Sequence, residues 1–327
     1  MSHAHDNHDD HHGHDHSDHD HAHDHGHSHG SGHVHAPASF GKAFAIGIAL
    51  NVGFVVIEAV YGVLSNSVAL LADAGHNLGD VLGLAVAWLA SELVKRAPSD
   101  RYTYGLRGSS ILAALFNAVF LLVTVGAISW EAIQRLGSPE PVAEKTVMIV
   151  AAIGIVINGL TAWLFASGGK NDINLRGAFL HMASDALVSA GVVIAGLVIL
   201  LTGWLWLDPV VSLAINAVII WGTWGLLRDS LGMSMAAAPA HIDMKQVRAF
   251  LAQGAGVEAI HDLHVWPMST TEIAMTCHLV MPSGHPGDAF LHDQAVELAK
   301  RFKINHPTIQ IEIEPHLGCA LAPDDVV

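Results

Sequence analysis

Residues 72 to 88 read ADAGHNLGDVLGLAVAW and place three ionisable side chains, Asp73, His76 and Asp80, in a segment otherwise apolar enough to cross a membrane. His76 and Asp80 are four residues apart, so on a helix they lie one above the other on the same face. A charged group at the centre of a bilayer costs roughly 2.5 to 3.5 kcal/mol on insertion scales. The stretch therefore predicts a membrane helix whose polar face has a strongly stabilising partner.

The composition of the whole chain agrees with a membrane protein. Its 327 residues are 51% hydrophobic and 14% charged. About 20 apolar residues are needed to span a bilayer, and six segments approach or exceed that length. We predict membrane spans over 43–64, 68–93, 109–136, 146–167, 177–202 and 209–227.

The basic residues predict the orientation of these spans. If the N-terminus is cytoplasmic, the inner flanks hold eight of the lysines and arginines around the spans, and the outer loops hold only Arg135 and Lys145. An excess of Lys and Arg marks the cytoplasmic side, and an even number of spans places both termini there. We expect a multi-pass protein of the cell membrane, and a bacterial inner membrane is our expectation for its location.

The regions on either side of the predicted spans differ in composition. Residues 1–41 contain fifteen His and seven Asp but no Lys or Arg, which predicts a disordered cytoplasmic tail that binds divalent metal loosely. The predicted membrane domain covers 42–236. Residues 237–327 read as helix, strand, strand, helix, strand, which predicts a cytoplasmic α+β domain of ferredoxin-like type.

A second His-x3-Asp pair, His181 and Asp185, lies in the fifth apolar segment. Two packed helices that each present a His and an Asp would supply two imidazoles and two carboxylates to one point, a four-ligand set suited to zinc. A single buried His or Asp is more often an interhelical hydrogen-bonding group, but the duplication favours metal. Four protein ligands leave no open position for a reactive water, so the set predicts metal carriage rather than hydrolysis.

Protons are the counter-ion that this ligand set predicts. Zinc binds neutral imidazole and carboxylate, so metal binding expels protons and protonation expels metal. Asp73 lies one turn before His76 and is expected to line the access path or to accept a hydrogen bond from a ligand imidazole. Polar residues such as Glu58 and Asn216 are read as interhelical hydrogen-bonding groups, and the glycines at 75, 79 and 83 as small residues that allow close helix packing.

Several motifs together resemble the cation diffusion facilitator family, in its zinc-transporting branch. They are SNSVALLADAGHNLGDVLGL, YGLRGSSILAALFN, NLRGAFLHMASDALVSAGVVIAG, DPVVSL and HDLHVW. The resemblance implies a six-span helical bundle with a cytoplasmic ferredoxin-like domain, homodimerisation, and efflux of Zn²⁺, with Cd²⁺ or Co²⁺ tolerated, in exchange for protons. It implies that the transport site consists of His76, Asp80, His181 and Asp185.

The resemblance also implies a regulatory zinc site in the C-terminal domain. His264, His278 and Glu312 match family positions for such a site, and His261, Glu314, His316 and Cys319 lie nearby. Surface histidines without a metal are the alternative.

Two other classes of function stay open at this point. A membrane-anchored zinc sensor or storage protein would use the tail and the C-terminal domain for binding and the spans only as an anchor. A membrane metalloenzyme would need an open coordination position, and no H-E-x-x-H motif is present. Nucleic-acid binding is excluded by a net charge of −15 without a basic face.

Overall fold

The computed structural model describes residues 42–168, 173–314 and 318–321. The predicted tail, residues 1–41, lies outside the described residues. Six long helices are present, and each coincides with one predicted span. They are α1 (Lys42–Leu64), α2 (Val68–Val94), α3 (Ser109–Gly137), α4 (Glu144–Gly168), α5 (Ile173–Thr202) and α6 (Leu207–Ser234).

Length and apolar composition make this a multi-pass membrane protein. Five of the six helices, α2 to α6, are long and apolar enough to cross a bilayer within their described residues, and α1 contributes a shorter apolar stretch, Ala49–Leu64. Large apolar side chains point outward from the bundle, as with Trp221, which is 88% exposed. Such exposure is unfavourable in water but is what a lipid-facing surface requires.

The helices pack as neighbouring pairs around α2. α4 lies along α5, α3 lies along α6, and α2 contacts α1, α3 and α6. Buried side chains such as Phe54, Leu70, Val125 and Val192 form the core between them. This arrangement brings the polar face of α2 into the interior of the bundle.

The glycines at 75, 79 and 83 lie where α2 approaches α3 most closely. A Cβ at Gly79 would stand 2.4 Å from Leu121 Cδ1, and one at Gly83 would stand 2.7 Å from Asn117 Nδ2. Small residues at four-residue spacing form a groove on one helix face, and this groove lets the backbones of two helices approach closely. The close helix packing expected from the glycine spacing is therefore present.

A buried carboxylate caps the start of α2. Val68 N donates to Asp208 Oδ2 at 2.9 Å, and Ser67 Oγ donates to Asp208 Oδ1. The Ser67 hydroxyl also accepts from Leu70 N at 3.1 Å. The free N–H groups of a helix N-terminus favour an anion, so Asp208, at the start of α6, fixes the end of α2 against that helix.

The C-terminal domain has the element order that the sequence predicted. It contains α7 (Met244–Ala252), β1 (Ala259–Pro267), β2 (Ile273–Val280), α8 (Asp288–Phe302) and β3 (Ile304–Glu312). The sheet order is β1-β2-β3, with β1 antiparallel and β3 parallel to β2. The helices pack their apolar residues, including Val247 and Leu298, against buried strand residues such as Leu279. The predicted fold class is confirmed.

The turn between β1 and β2 contacts the beginning of α3. Glu272 forms an ion pair with Arg107, and Thr270 N donates to Ser110 Oγ at 3.1 Å. These contacts connect the sheet of the C-terminal domain to a membrane span.

Candidate metal centres

The transmembrane candidate site lies between α2 and α5. His76 and Asp80 occupy successive turns of α2, and His181 and Asp185 occupy successive turns of α5. The four-residue spacing places each pair on one helix face, and the two faces are directed at each other. The structure thus brings all four predicted residues together.

The distances between the donor atoms fit a tetrahedral metal. His76 Nε2 lies 3.6 Å from Asp80 Oδ2 and 3.3 Å from Asp185 Oδ1. His181 Nε2 lies 3.2 Å from Asp80 Oδ2 and 3.7 Å from Asp185 Oδ2. Ligands at about 2.0 to 2.2 Å from a tetrahedral zinc are separated from one another by roughly 3.3 to 3.6 Å. With one donor atom taken from each residue, three of the six edges of such a tetrahedron have these lengths, because Asp185 faces His76 with Oδ1 and His181 with Oδ2. His76, Asp80 and Asp185 form the compact part of the set, with donor atoms all within 4.8 Å of one another, and His181 joins it through Asp80.

Several polar atoms at this site have no hydrogen-bond partner although they are buried. They include Asp80 Oδ2 and Asp185 Oδ1. Buried polar groups are almost always paired, and an unpaired one costs about 1 to 3 kcal/mol. Two carboxylate oxygens aimed at the same point, each opposite an imidazole nitrogen, are satisfied by a divalent cation.

Burial differs among the four ligands. The Asp185 side chain is only 2% exposed, whereas the other three side chains are 19 to 28% exposed. The site therefore has one deeply buried wall and one side that reaches the surface of the bundle.

Asp73 is fully buried and does not act as an acceptor for a ligand imidazole. Its Oδ2 accepts from Ser189 Oγ at 2.9 Å, and His76 Nδ1 has no hydrogen-bond partner. Glu58 on α1 is a neighbour of the Asp73 carboxyl, because it bonds to Asn77, one turn after Asp73 on the same face of α2. Sequence reasoning had placed Glu58 among the interhelical hydrogen-bonding groups, and it does accept from Asn77 Nδ2 at 2.9 Å.

A second cluster of donors lies on the sheet of the C-terminal domain. It contains His261, His278, Glu312 and Cys319, whose nearest donor atoms all lie within 4.8 Å of one another. Glu312 is central, with Oε2 at 3.0 Å from His261 Nε2 and Oε1 at 2.9 Å from His278 Nδ1. The Cys319 Sγ lies 3.6 Å from the same His278 nitrogen. Two nitrogens, a carboxylate and a sulfur form a donor set that zinc accepts.

The pairing of β1 with β2 explains which histidines meet. His261 is directly opposite His278 in the antiparallel ladder, and their ring centroids are 5.0 Å apart. Between His261 and His264 the register is shifted by a bulge, and Asp262 has a positive φ of 51°. His264 is therefore not in the cluster with the other three predicted ligands, and its Nε2 lies 2.9 Å from Asp262 Oδ1.

The electrostatics of the C-terminal cluster favour an ionised carboxylate. Partial burial alone would raise the pKa of Glu312, but hydrogen bonds from His261, Cys319 and His278 hold that pKa below its ordinary value. The other cysteine is different, because burial and the nearby Asp262 raise the pKa of Cys277 to about 12. Cys277 is therefore a neutral core thiol, and Cys319 is the cysteine with metal-ligating character.

Comparison with known families accounts for both halves of the chain. A family model described as the cation efflux transmembrane domain matches residues 44–233, and one described as the cation efflux protein, cytoplasmic domain, matches residues 239–314. The chain belongs to the cation efflux family. The resemblance to the cation diffusion facilitators, inferred from the motifs, is confirmed.

This cation efflux protein is similar to several bacterial relatives over most of their length. It is 37% identical to the zinc transporter ZitB of Escherichia coli strain K12, covering 84% of this chain and 88% of that protein. It is 34% identical to the cadmium, cobalt and zinc/H(+)-K(+) antiporter of Bacillus subtilis strain 168, covering 84% and 90%. It is also 34% identical to the metal cation efflux system protein CzcD of Cupriavidus metallidurans, covering 85% and 89%.

Proposed function

We propose that this protein exports divalent metal ions, with Zn²⁺ as the main substrate and Cd²⁺ and Co²⁺ also accepted, from the cytoplasm in exchange for protons. The observation that carries the proposal is the site between α2 and α5, where two imidazoles and two carboxylates meet at His–Asp distances of 3.2 to 3.7 Å. These distances are close to the separations of ligands around a tetrahedral zinc ion. The names of the relatives, which include a zinc transporter and a zinc/H(+)-K(+) antiporter, support the same substrates.

The chemistry of the four ligands supports exchange between metal and protons. With neutral imidazoles, the two carboxylates give the site a charge of −2, which balances one divalent cation. When protons enter, the imidazoles become cations and can no longer donate a lone pair to the metal. The two His–Asp contacts across the helices then become ion pairs within the same framework. Metal and protons therefore compete for one set of atoms.

Export requires that the site face each side of the membrane in turn. α2 carries one half of the ligand set and α5 carries the other, so a relative movement of these helices both opens the site and changes its geometry. A proton gradient directed into the cell then drives metal out. With both termini cytoplasmic, as the basic residues predict, the C-terminal cluster senses the metal on the side from which it is exported.

We assign to the C-terminal cluster the role of a regulatory zinc site. The supporting geometry is that of His261, His278, Glu312 and Cys319, so Cys319 takes the place that sequence reasoning gave to His264. The match of residues 239–314 to a cytoplasmic domain that is named for dimerisation supports a homodimer.

Transport into sealed vesicles tests the proposed function. We expect the purified full chain in proteoliposomes to move zinc when a proton gradient is applied, and to move protons when a zinc gradient is applied. Asp185→Ala should abolish both fluxes. The exposed Asp229, on α6, provides a matched control, because Asp229→Ala removes the same group outside the site. If Asp185→Ala transports zinc like the wild type, the proposed site is wrong.

A second comparison separates export from storage. A storage or sensor protein would bind zinc in detergent but would show no zinc flux in vesicles, with or without a proton gradient. An exporter should keep its flux after Cys319→Ala, with a changed dependence of rate on cytoplasmic zinc. Loss of all flux in Cys319→Ala would show that the C-terminal cluster belongs to the transport pathway itself.

A further inference from the structure

A second group of buried polar side chains lies beside the transmembrane metal site and is separate from its four ligands. It is formed by Glu58 on α1, Asp73 and Asn77 on α2, and Ser189 on α5. All four side chains are buried, and Glu58, Asp73 and Ser189 are 0% exposed. Burying two carboxyl groups in the interior of a membrane domain is unfavourable, so their presence requires a physical explanation.

Each carboxyl group is held by one donor and has one free oxygen. Asn77 Nδ2 donates to Glu58 Oε2, and Ser189 Oγ donates to Asp73 Oδ2, both at 2.9 Å. The remaining atoms, Glu58 Oε1 and Asp73 Oδ1, are buried and have no hydrogen-bond partner. Asp73 and Asn77 lie one turn apart on the same face of α2, so the bond from Asn77 to Glu58 places the two carboxyl groups beside each other. Neither group can donate a hydrogen bond when it is ionised.

The surroundings provide no fixed positive charge for this pair. Among the residues whose side chains are described, no lysine or arginine forms an ion pair with Glu58 or Asp73. The other charged groups that act on the pair are His76 on α2 and Asp185 on α5. Helix α4, which packs against α1, carries its titratable residues only in its first turn. Two carboxylates in such a place cannot both be ionised.

We propose that Glu58 and Asp73 form a proton-binding site of their own, in which one proton is shared between Glu58 Oε1 and Asp73 Oδ1 and is exchanged during each transport cycle. The shared proton supplies the missing donor between the two free oxygens. It also reduces the charge of the pair from −2 to −1, which is the form that the apolar surroundings tolerate.

The metal site and the carboxyl pair are coupled through their charges. Asp73 precedes His76 by one helical turn, and Ser189, which holds Asp73, follows Asp185 by one turn. A divalent cation between α2 and α5 makes a proton on the neighbouring pair less favourable, because both are positive and the intervening Asp73, Ser189 and Asp185 side chains are buried. Zinc binding therefore releases the shared proton, and uptake of a proton by the pair favours release of zinc. This inference rests on the proposed exchange of metal for protons and adds a site at which one of those protons is carried.

The ratio of protons to zinc in proteoliposomes tests the pair. Zinc flux is followed with a trapped zinc indicator and proton flux with a trapped pH indicator, for the wild type, Glu58→Gln and Asp73→Asn. The amide introduced by Glu58→Gln donates to Asp73 Oδ1 and permanently replaces the shared proton. We expect zinc transport to continue with about one proton fewer per zinc ion in each variant. Glu58→Asp, which keeps a carboxyl group, should retain more of the wild-type ratio.

Ser129→Ala is the matched control, because it removes a partly buried interhelical hydrogen bond, from Asn216 Nδ2 at 2.9 Å, without removing a carboxyl group. Its ratio should equal that of the wild type. An unchanged ratio in both Glu58→Gln and Asp73→Asn would overturn the proposal. A wild type that moves zinc without any protons would instead overturn the proposed exchange, and the carboxyl pair with it.

A measurement on the unmodified chain covers the case in which these variants do not fold. Infrared difference spectra of the wild type, recorded as zinc is added, should show loss of the C=O stretch of a protonated carboxylic acid. No such loss between neutral and mildly acidic pH would contradict a shared proton.

Discussion

The charge of Asp185 is expected to dominate zinc binding at the transmembrane site. The structure allows its charge and its geometry to be separated, because Asp185→Asn keeps the reach of the side chain and removes the charge, whereas Asp185→Glu keeps the charge and extends the reach. The Asp185 side chain is 2% exposed, so almost no water compensates for the change.

The size of the effect follows from this burial. Leaving one charge of a buried set unbalanced costs about 3 to 5 kcal/mol. Because each 1.4 kcal/mol corresponds to roughly a tenfold change in affinity, Asp185→Asn should weaken zinc binding by a factor of roughly 100 to several thousand. Asp185→Glu moves the donor by more than the tolerance of about 0.2 Å for a metal ligand, so we expect a loss in that variant as well.

Competition with a chromophoric zinc chelator measures these affinities. Every sample should carry His261→Ala and lack residues 1–41, so that neither the C-terminal cluster nor the His-rich tail contributes to the binding curve. Asp229→Asn, at an exposed carboxylate on α6, is the control and should bind zinc like the parent protein. If Asp185→Asn binds within about threefold of the parent, less than 1 kcal/mol, then the carboxylate is not a ligand and the reasoning from burial fails.

Three further predictions concern other parts of the protein. Asp208→Ala removes a buried acceptor from the N-terminus of α2 and should lower the free energy of unfolding by about 2 to 4 kcal/mol, measured by thermal denaturation in detergent. Asp208→Asn should have a smaller effect. Equal stability in all three proteins would contradict the capping role. Gly79→Leu should separate α2 from α3 and reduce zinc flux more than Gly79→Ala does. The carbon added by Gly79→Ala meets only the flexible end of the Leu121 side chain. Equal fluxes in the two variants would contradict the close approach of α2 to α3. The folded-state pKa of Glu312 lies below its ordinary value of 4.5, so the contribution of Glu312 to stability is complete above that value and is lost as the pH falls through the lowered pKa. The metal-free wild type should therefore lose more stability in acid than Glu312→Gln does. Parallel acid-denaturation curves for the two proteins would refute this.

The membrane part of the fold could be predicted because its signals are local. Helix bounds follow from the ends of apolar segments, as in α2, predicted over 68–93 and found over Val68–Val94. The meeting of the four candidate ligands could be predicted because the spacing of His76 and Asp80 is repeated by His181 and Asp185, and a helix converts that spacing into one face. The packing of α2 against α5, on which the distances depend, is not encoded in either segment alone.

Two features could not be predicted from sequence patterns. Strand alternation gave no indication of the bulge at Asp262, which separates His264 from the cluster, and Cys319 lies beyond the last strand, where its position depends on the path of the chain. The position of Glu58 beside Asp73 depends on how α1 packs against α2, which brings Glu58 to Asn77. A single buried acid reads as a hydrogen-bonding group, and only the arrangement of two helices shows that it has an acidic neighbour.

The contacts at the turn between β1 and β2 limit how the cytoplasmic domain can move. His278 lies six residues after Glu272 on the same side of that turn, so one strand about 20 Å long joins a candidate zinc ligand to the ion pair with Arg107. A strand bonded on both sides is stiff along its length. Any rotation of the sheet on metal binding must therefore either detach the turn from Arg107 and Ser110 or pull the cytoplasmic end of the third span with it.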